Sequence, residues 1–156
     1  MRNLQWAEHV SLAGRNTFHV AATAAAMCDI SDLSQLPDAF ELADAKGLPV
    51  LVLGEGSNIL FADDFPGLVL CITANQCRIT EETADNALIR AEAGMLWNDL
   101  VHWTLARGWN GLENMALIPG TVGACPIQNI GAYGVEVAEF IETVEAYNRL
   151  TGKTKR

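Results

Sequence analysis

Short apolar runs separated by turn residues fill this chain, and their lengths set the elements it predicts. Residues 1–18 read as an irregular lead-in ending in Asn16-Thr17-Phe18. Ala21 to Ile30, centred on Ala24-Ala25-Ala26-Met27-Cys28, reads as the first strand despite alanine's preference for helix. Leu36, Phe40 and Ala43 recur at helical spacing and predict a helix to about Lys46. Ser31-Asp32 or Ser34 can cap it; Pro37 has to sit in the first turn, which favours Ser34, and Gly47 supplies the stop. Pro49-Val50-Leu51-Val52-Leu53 predicts a buried strand parallel to its neighbour. Ile59-Leu60-Phe61 resumes extended chain after a glycine turn, residues 62–67 form a loop, and Leu68 to Ile72 is a further strand. Gln76 to Thr83 and Ala87 to Ala93 form a hairpin about Asp85-Asn86. Leu96, Leu100 and Trp103 share one helical face and Trp97, Val101 and Leu105 another, giving a helix from about Leu96 to Ala106 that Gly108 ends. Ile141 to Tyr147 alternates as a strand, and Asn148 to Gly152 turns it towards a returning strand. The mixture is α+β.

Two stretches break this pattern. The stretch from Leu117 to Gly134 has no charged side chain in eighteen residues, yet holds four glycines and two prolines among leucine, isoleucine, valine and tyrosine. A solvated loop would be more polar, and a regular helix or strand would hold less glycine and proline. Such a composition suits either a tightly packed turn or main chain laid close against a flat, partly apolar ligand, with bare N–H groups as donors. Within it, Thr121 can cap a short helical turn. The second stretch is Gly54-Glu55-Gly56-Ser57-Asn58, where Gly54 and Gly56 can take positive φ and successive N–H groups can form an anion-binding nest. It is neither GxGxxG before a helix nor a P-loop, so a Rossmann or Walker site is not indicated.

Charge narrows the chemistry. The net charge is −9, and the only basic residues between Asn16 and Asn148 are Lys46, Arg78, Arg90 and Arg107. No basic stripe exists for nucleic acid, and a phosphate site here would rest largely on backbone N–H groups. The cysteines Cys28, Cys71, Cys77 and Cys125 lack CxxC spacing, which argues against a zinc site and a disulfide framework and for reduced, buried thiols. No apolar run approaches the roughly 20 residues of a membrane helix, and the first residues do not form a secretory signal. A cytoplasmic protein with no membrane partner is expected. His102 has no acidic partner in view and reads as structural or exposed.

Leu53-Gly54-Glu55-Gly56-Ser57-Asn58, then Gly111-Leu112-Glu113-Asn114, Ile118-Pro119-Gly120-Thr121-Val122-Gly123 and Pro126-Ile127-Gln128-Asn129-Ile130-Gly131-Ala132-Tyr133-Gly134, resemble the UDP-N-acetylenolpyruvoylglucosamine reductase family. This is the MurB, or UDP-N-acetylmuramate dehydrogenase, family of peptidoglycan synthesis. Asn16-Thr17-Phe18 matches an early motif of that family, and the resemblance covers about residues 15 to 152. It implies the FAD-binding fold of the vanillyl-alcohol-oxidase (PCMH) type, with two α+β subdomains clasping the flavin. We expect these as residues 1–72 and 73–156, the second incomplete and the substrate-binding domain absent, as in the N-terminal part of a longer protein.

The resemblance further implies that Leu53 to Asn58 and Ile118, Pro119, Gly120, Thr121, Val122, Gly123 and Ala124 hold FAD, chiefly its pyrophosphate, by main-chain N–H groups. Gln128, Asn129, Gly131, Ala132, Tyr133 and Gly134 would run along the flavin, with Tyr133 beside the substrate. NADPH would reduce FAD, and the flavin would pass hydride to UDP-N-acetylglucosamine enolpyruvate. The family's proton-donating serine, its glutamate and a neighbouring arginine belong to later segments, so no catalytic residue is assigned in this chain. A monomer is expected at full length. The rival readings are a non-catalytic flavin-binding module and another flavin oxidase of the same fold. The latter predicts a covalent flavin link, for which Cys125 is the one candidate in the central stretch.

Overall fold

A computed structural model describes residues 4–156. Its strands are β1 (Gln5–Ser11), β2 (Thr23–Ile30), β3 (Val50–Leu53), β4 (Phe65–Ile72), β5 (Cys77–Glu82), β6 (Ala87–Ala91), β7 (Gly131–Ala132), β8 (Val135–Glu136), β9 (Ala146–Asn148) and β10 (Lys153–Lys155). The α-helices are α1 (Leu36–Ala45), α2 (Trp97–Leu105) and α3 (Cys125–Gln128). No helix among the described residues is long and apolar enough to cross a membrane.

The chain divides into two compact units: Met1–Ala74 with Ala146–Lys155, and Asn75–Glu145 with Arg156. The first unit thus runs to Ala74 and takes in residues 146–155, which the expected division puts with the second. The reason is local packing. Tyr147 on β9 stacks on Phe40 of α1 at 5.8 Å between centroids, Arg149 pairs with Asp44, and the β9–β10 hairpin follows the α1 side of the first core.

The first unit is built on a four-stranded sheet in the order β1-β2-β4-β3, antiparallel between β1 and β2 and parallel elsewhere. Side chains alternate across it. Ala26, Cys28, Ile30, Leu68 and Leu70 meet Leu36, Ala39 and Ala43 of α1 on one face. Val69, Cys71 and Leu53 meet Leu12, Ala22 and Phe61 on the other. Ala26 of β2 meeting Ala39 and Ala43 of α1 brings helix and strand together, and this tertiary packing overrides alanine's helix propensity.

Four local expectations change. Residues 5–11 form β1, which completes an edge of the sheet, so the lead-in is not irregular. Asp32, not Ser34, caps: its carboxylate accepts the Ser34 N–H at 2.8 Å, and the Gln35 side chain accepts from Ser31 and Asp32, forming a 3-10 turn before α1. Pro37 sits in the first turn of α1 and Gly47 takes φ +66° after it, both as expected. β3 is parallel, but it is an edge strand with Val52 58% exposed, so only its end at Leu53 is buried. Residues 59–61 lie in no strand; parallel β3 and β4 require a crossover, and residues 54–64 supply it without regular structure.

The second unit packs the β5–β6 hairpin and α2 around Met95, Trp97, Leu100, Val101, Met115, Cys125 and Val137. The indole of Trp97 donates to the Met115 carbonyl at 2.8 Å, tying α2 to the 3-10 turn Glu113–Met115. Residues 141–145 are irregular, and the expected strand there is confined to β9, which among the described residues pairs with β10 alone.

Candidate functional site

In the first unit, β3 delivers the chain at Leu53 into the turn Gly54–Asn58. Gly56 has φ +75°, a conformation that glycine adopts without a Cβ penalty. A Cβ there would lie 2.1 Å from the Arg15 carbonyl oxygen, and the Gly56 carbonyl accepts the Thr17 N–H at 3.2 Å. Glycine is therefore required by φ and by packing together. Gly54 does not share the positive φ expected of it. Gly54, Glu55 and Asn58 are exposed, Ser57 is half-buried and Gly56 is buried. The N–H groups of Gly56 and Ser57 meet no acceptor among the described residues.

In the second unit, Leu117 sits at φ +63° with its N–H on the Asn98 side-chain oxygen Oδ1 at 2.9 Å, and Ile118 packs on the core while Pro119 is exposed. Gly120, at φ +123°, accepts the Trp97 N–H at 2.9 Å. Thr121 bridges to Leu96 as a single antiparallel pair. The following donors are used internally: Val122 to Met95 at 2.8 Å, Gly123 to Ala93 at 2.9 Å and Ala124 to Thr121 at 3.0 Å. Among residues 120–124 the bare donors thus narrow to Thr121, whose N–H and hydroxyl have no partner among the described residues although the residue is 9% exposed. Thr121 does not cap α3; that helix begins at Cys125 with Ala124 at its N-cap and no side-chain cap.

Asn129 ends α3 in the left-handed region at φ +44°. Its amide donates to Glu136 at 2.7 Å and accepts from the Ala138 N–H at 3.2 Å, clamping the β7–β8 hairpin. Tyr133 and Gly134, at φ +54° and +80°, make the two-residue turn of that hairpin, both with the positive φ of a type I′ turn. The Tyr133 ring is 89% exposed. Asn129, Gly131, Ala132, Tyr133 and Gly134 border a shallow concavity of about 470 Å³; Gln128 is exposed on α3.

Cys125 is a buried thiol that donates to the Thr121 carbonyl at 3.3 Å, and burial pushes its pKa up to about 11. That disfavours the thiolate a covalent flavin link would require. His102 is exposed, with a ring nitrogen 3.4 Å from the Asn98 amide. No spacing pattern points to Asn98, whose side chain holds the Leu117 N–H from nineteen residues away.

In each unit taken by itself, neutral donors suit an anionic group held without cations. Gly56, Ser57 and Thr121 offer neutral donors without protein acceptors, and the N–H groups next to Thr121 are already committed.

The FAD binding domain family matches residues 24–156. Relatives named UDP-N-acetylenolpyruvoylglucosamine reductase are 53% identical over 94% of this chain in Xanthomonas campestris pv. campestris (strain B100) and 51% identical over 97% in Xylella fastidiosa (strain M12). The chain spans 42% and 44% of their lengths. The crystal structure of UDP-N-acetylenolpyruvylglucosamine reductase (MurB) from Thermus caldophilus superposes with a TM-score of 0.75 at 27% identity, over 97% of this chain and 52% of that one. With the family's match running from β2 through both glycine-rich stretches to the last residue, this chain belongs to the FAD-binding domain family.

Proposed function

We propose that this chain is the FAD-holding part of a UDP-N-acetylenolpyruvoylglucosamine reductase, acting in peptidoglycan precursor synthesis on UDP-N-acetylglucosamine enolpyruvate. The carrying observation is that each of the two stretches where the motif resemblance lies keeps neutral donors without partners among the described residues, Gly56 and Ser57 in the one and Thr121 in the other. The names of the 53% identical relatives support the activity. Bound FAD would supply the hydride chemistry, taking two electrons from NADPH and delivering them to the enolpyruvyl double bond.

This chain's own residues bind and orient. Gly56 and Ser57 donate to cofactor phosphate oxygens, each such bond contributing roughly 1.5–3 kcal/mol. Thr121 adds a main-chain and a hydroxyl donor. Residues Gln128 to Gly134 would lie along the flavin, and the Tyr133 ring, which is exposed, would serve the substrate. Leu53, Gly54, Glu55, Asn58 and Ile118 to Ala124 shape the rest of the contact. The protein works in the cytoplasm, where NADPH is available, and as a monomer at full length.

The test is the visible absorption spectrum of the purified 156-residue chain after FAD is added and the excess removed. A retained flavin band, bleached by NADPH, is the expected result. A chain folded by circular dichroism that retains no flavin would sink the proposal.

A further inference from the structure

We propose that Asn16 is a positioning residue for the flavin-holding turn Gly54–Asn58. The inference rests on the function proposed above only for the identity of the ligand. Asn16 is a buried polar residue, 3% exposed. Its amide nitrogen donates to the Leu12 carbonyl at 2.8 Å and the Val20 carbonyl at 3.2 Å, and its oxygen accepts the Val20 N–H at 3.0 Å. These bonds draw residues 12–20 into one rigid loop, which the Leu12 N–H ties to Ala22 at 2.7 Å and the Arg15 guanidinium ties to Asp29 of β2 at 3.3 Å.

The outer surface of that loop is the seat of the turn. Gly56 rests on the Arg15 carbonyl and the Asn16 Cα, closely enough that a Cβ would come within 2.1 and 2.8 Å of them. The Thr17 N–H holds the Gly56 carbonyl. With its carbonyl so held, the Gly56–Ser57 peptide has its plane fixed, and with it the direction of the Ser57 N–H. The chain of contacts runs from the Asn16 amide through the 12–20 backbone to the donors that meet the cofactor, and Asn16 itself touches no cofactor atom in this reading.

Asn16→Asp is the informative variant. It keeps an oxygen for the Val20 N–H but sets a carboxylate oxygen against two carbonyls. In the ¹H–¹⁵N spectrum of the 156-residue chain without ligand, the Gly56 and Ser57 amide peaks should move or broaden together with those of residues 12–20. Peaks of the Cys77–Ala91 hairpin should stay in place. FAD binding, read by quenching of flavin fluorescence, should weaken about tenfold or more, the factor that corresponds to losing one buried hydrogen bond.

Unmoved Gly56 and Ser57 peaks, or unchanged FAD affinity in the variant, would overturn the inference. If the parent chain binds no FAD, the proposed function falls, and the amide spectrum alone still decides whether Asn16 positions the turn. Should Asn16→Asp unfold the chain, Gly56→Ala tests the same contact from the other side. Its Cβ clash on Arg15 should shift the Val20 amide, which bonds to Asn16 and lies one contact beyond the clash. An unshifted Val20 peak would overturn the coupling.

Discussion

Gly123 and Gly56 are both glycines for reasons of space, yet the reasons differ. A Cβ on Gly123 would lie 2.7 Å from the Ala93 Cβ and 3.1 Å from its carbonyl, against the strand end that receives the Gly123 N–H. Gly123→Ala should therefore destabilise the second unit by about 1–3 kcal/mol, measurable by urea unfolding, through overpacking alone. The thiols give a second residue-level test. Burial is the main cause that raises Cys71 and Cys125 to about 11 from an ordinary 9.0. The unfolded chain then loses these protons first, so the stability they contribute is whole below pH 9 and is lost as pH rises towards 11. The thermal midpoint should fall through that window, and the Cys71→Ala, Cys125→Ala double variant should fall less steeply; equal slopes would contradict the assignment.

Among the elements, the β7–β8 hairpin carries the clearest conflict between local preference and structure. A type I′ turn favours Asn-Gly, and here a tyrosine holds the first position at φ +54°. A bulky residue in that region costs about 1–3 kcal/mol. Tyr133→Asn should raise the stability of the chain by about 1 kcal/mol in urea unfolding. If Tyr133 serves the substrate of the proposed reductase, the same variant in the full-length protein should raise KM; a stabilised variant with unchanged KM would remove Tyr133 from the site. The motif order in the sequence revealed that this stretch is unusual. It did not reveal that Val122 and Gly123 spend their N–H groups on Met95 and Ala93, because those partners come from a separate run of sequence just before α2.

At the scale of the whole molecule, net charge and donor type act together. On the function proposed above, a chain of net charge −9 would bind the cofactor's diphosphate through neutral N–H and hydroxyl groups, which leaves few ion pairs for salt to screen. FAD affinity should change by less than about threefold between roughly 0.05 and 0.5 M salt, because screening acts on charges and not on short neutral hydrogen bonds. A steep loss of affinity with salt would point to cations such as Arg15, which is otherwise engaged with Asp29.

Local pattern and composition determined much about this protein. They were enough to identify β2, β4, the β5–β6 hairpin, α1 and α2, because each has a hydrophobic period or a turn pair within its own residues. They also marked both glycine-rich stretches, because a run without charge or regular period is visible residue by residue. Tertiary structure decided the rest. β1 is a strand because β2 offers it an edge, and β3 is exposed because nothing covers its outer side among the described residues. Residues 146–155 join the first unit because Phe40 and Asp44 receive Tyr147 and Arg149. Which donors stay free at Gly56, Ser57 and Thr121 depends on backbone groups far off in the chain, and a hydrogen-bond partner distant in sequence leaves no periodic trace in it.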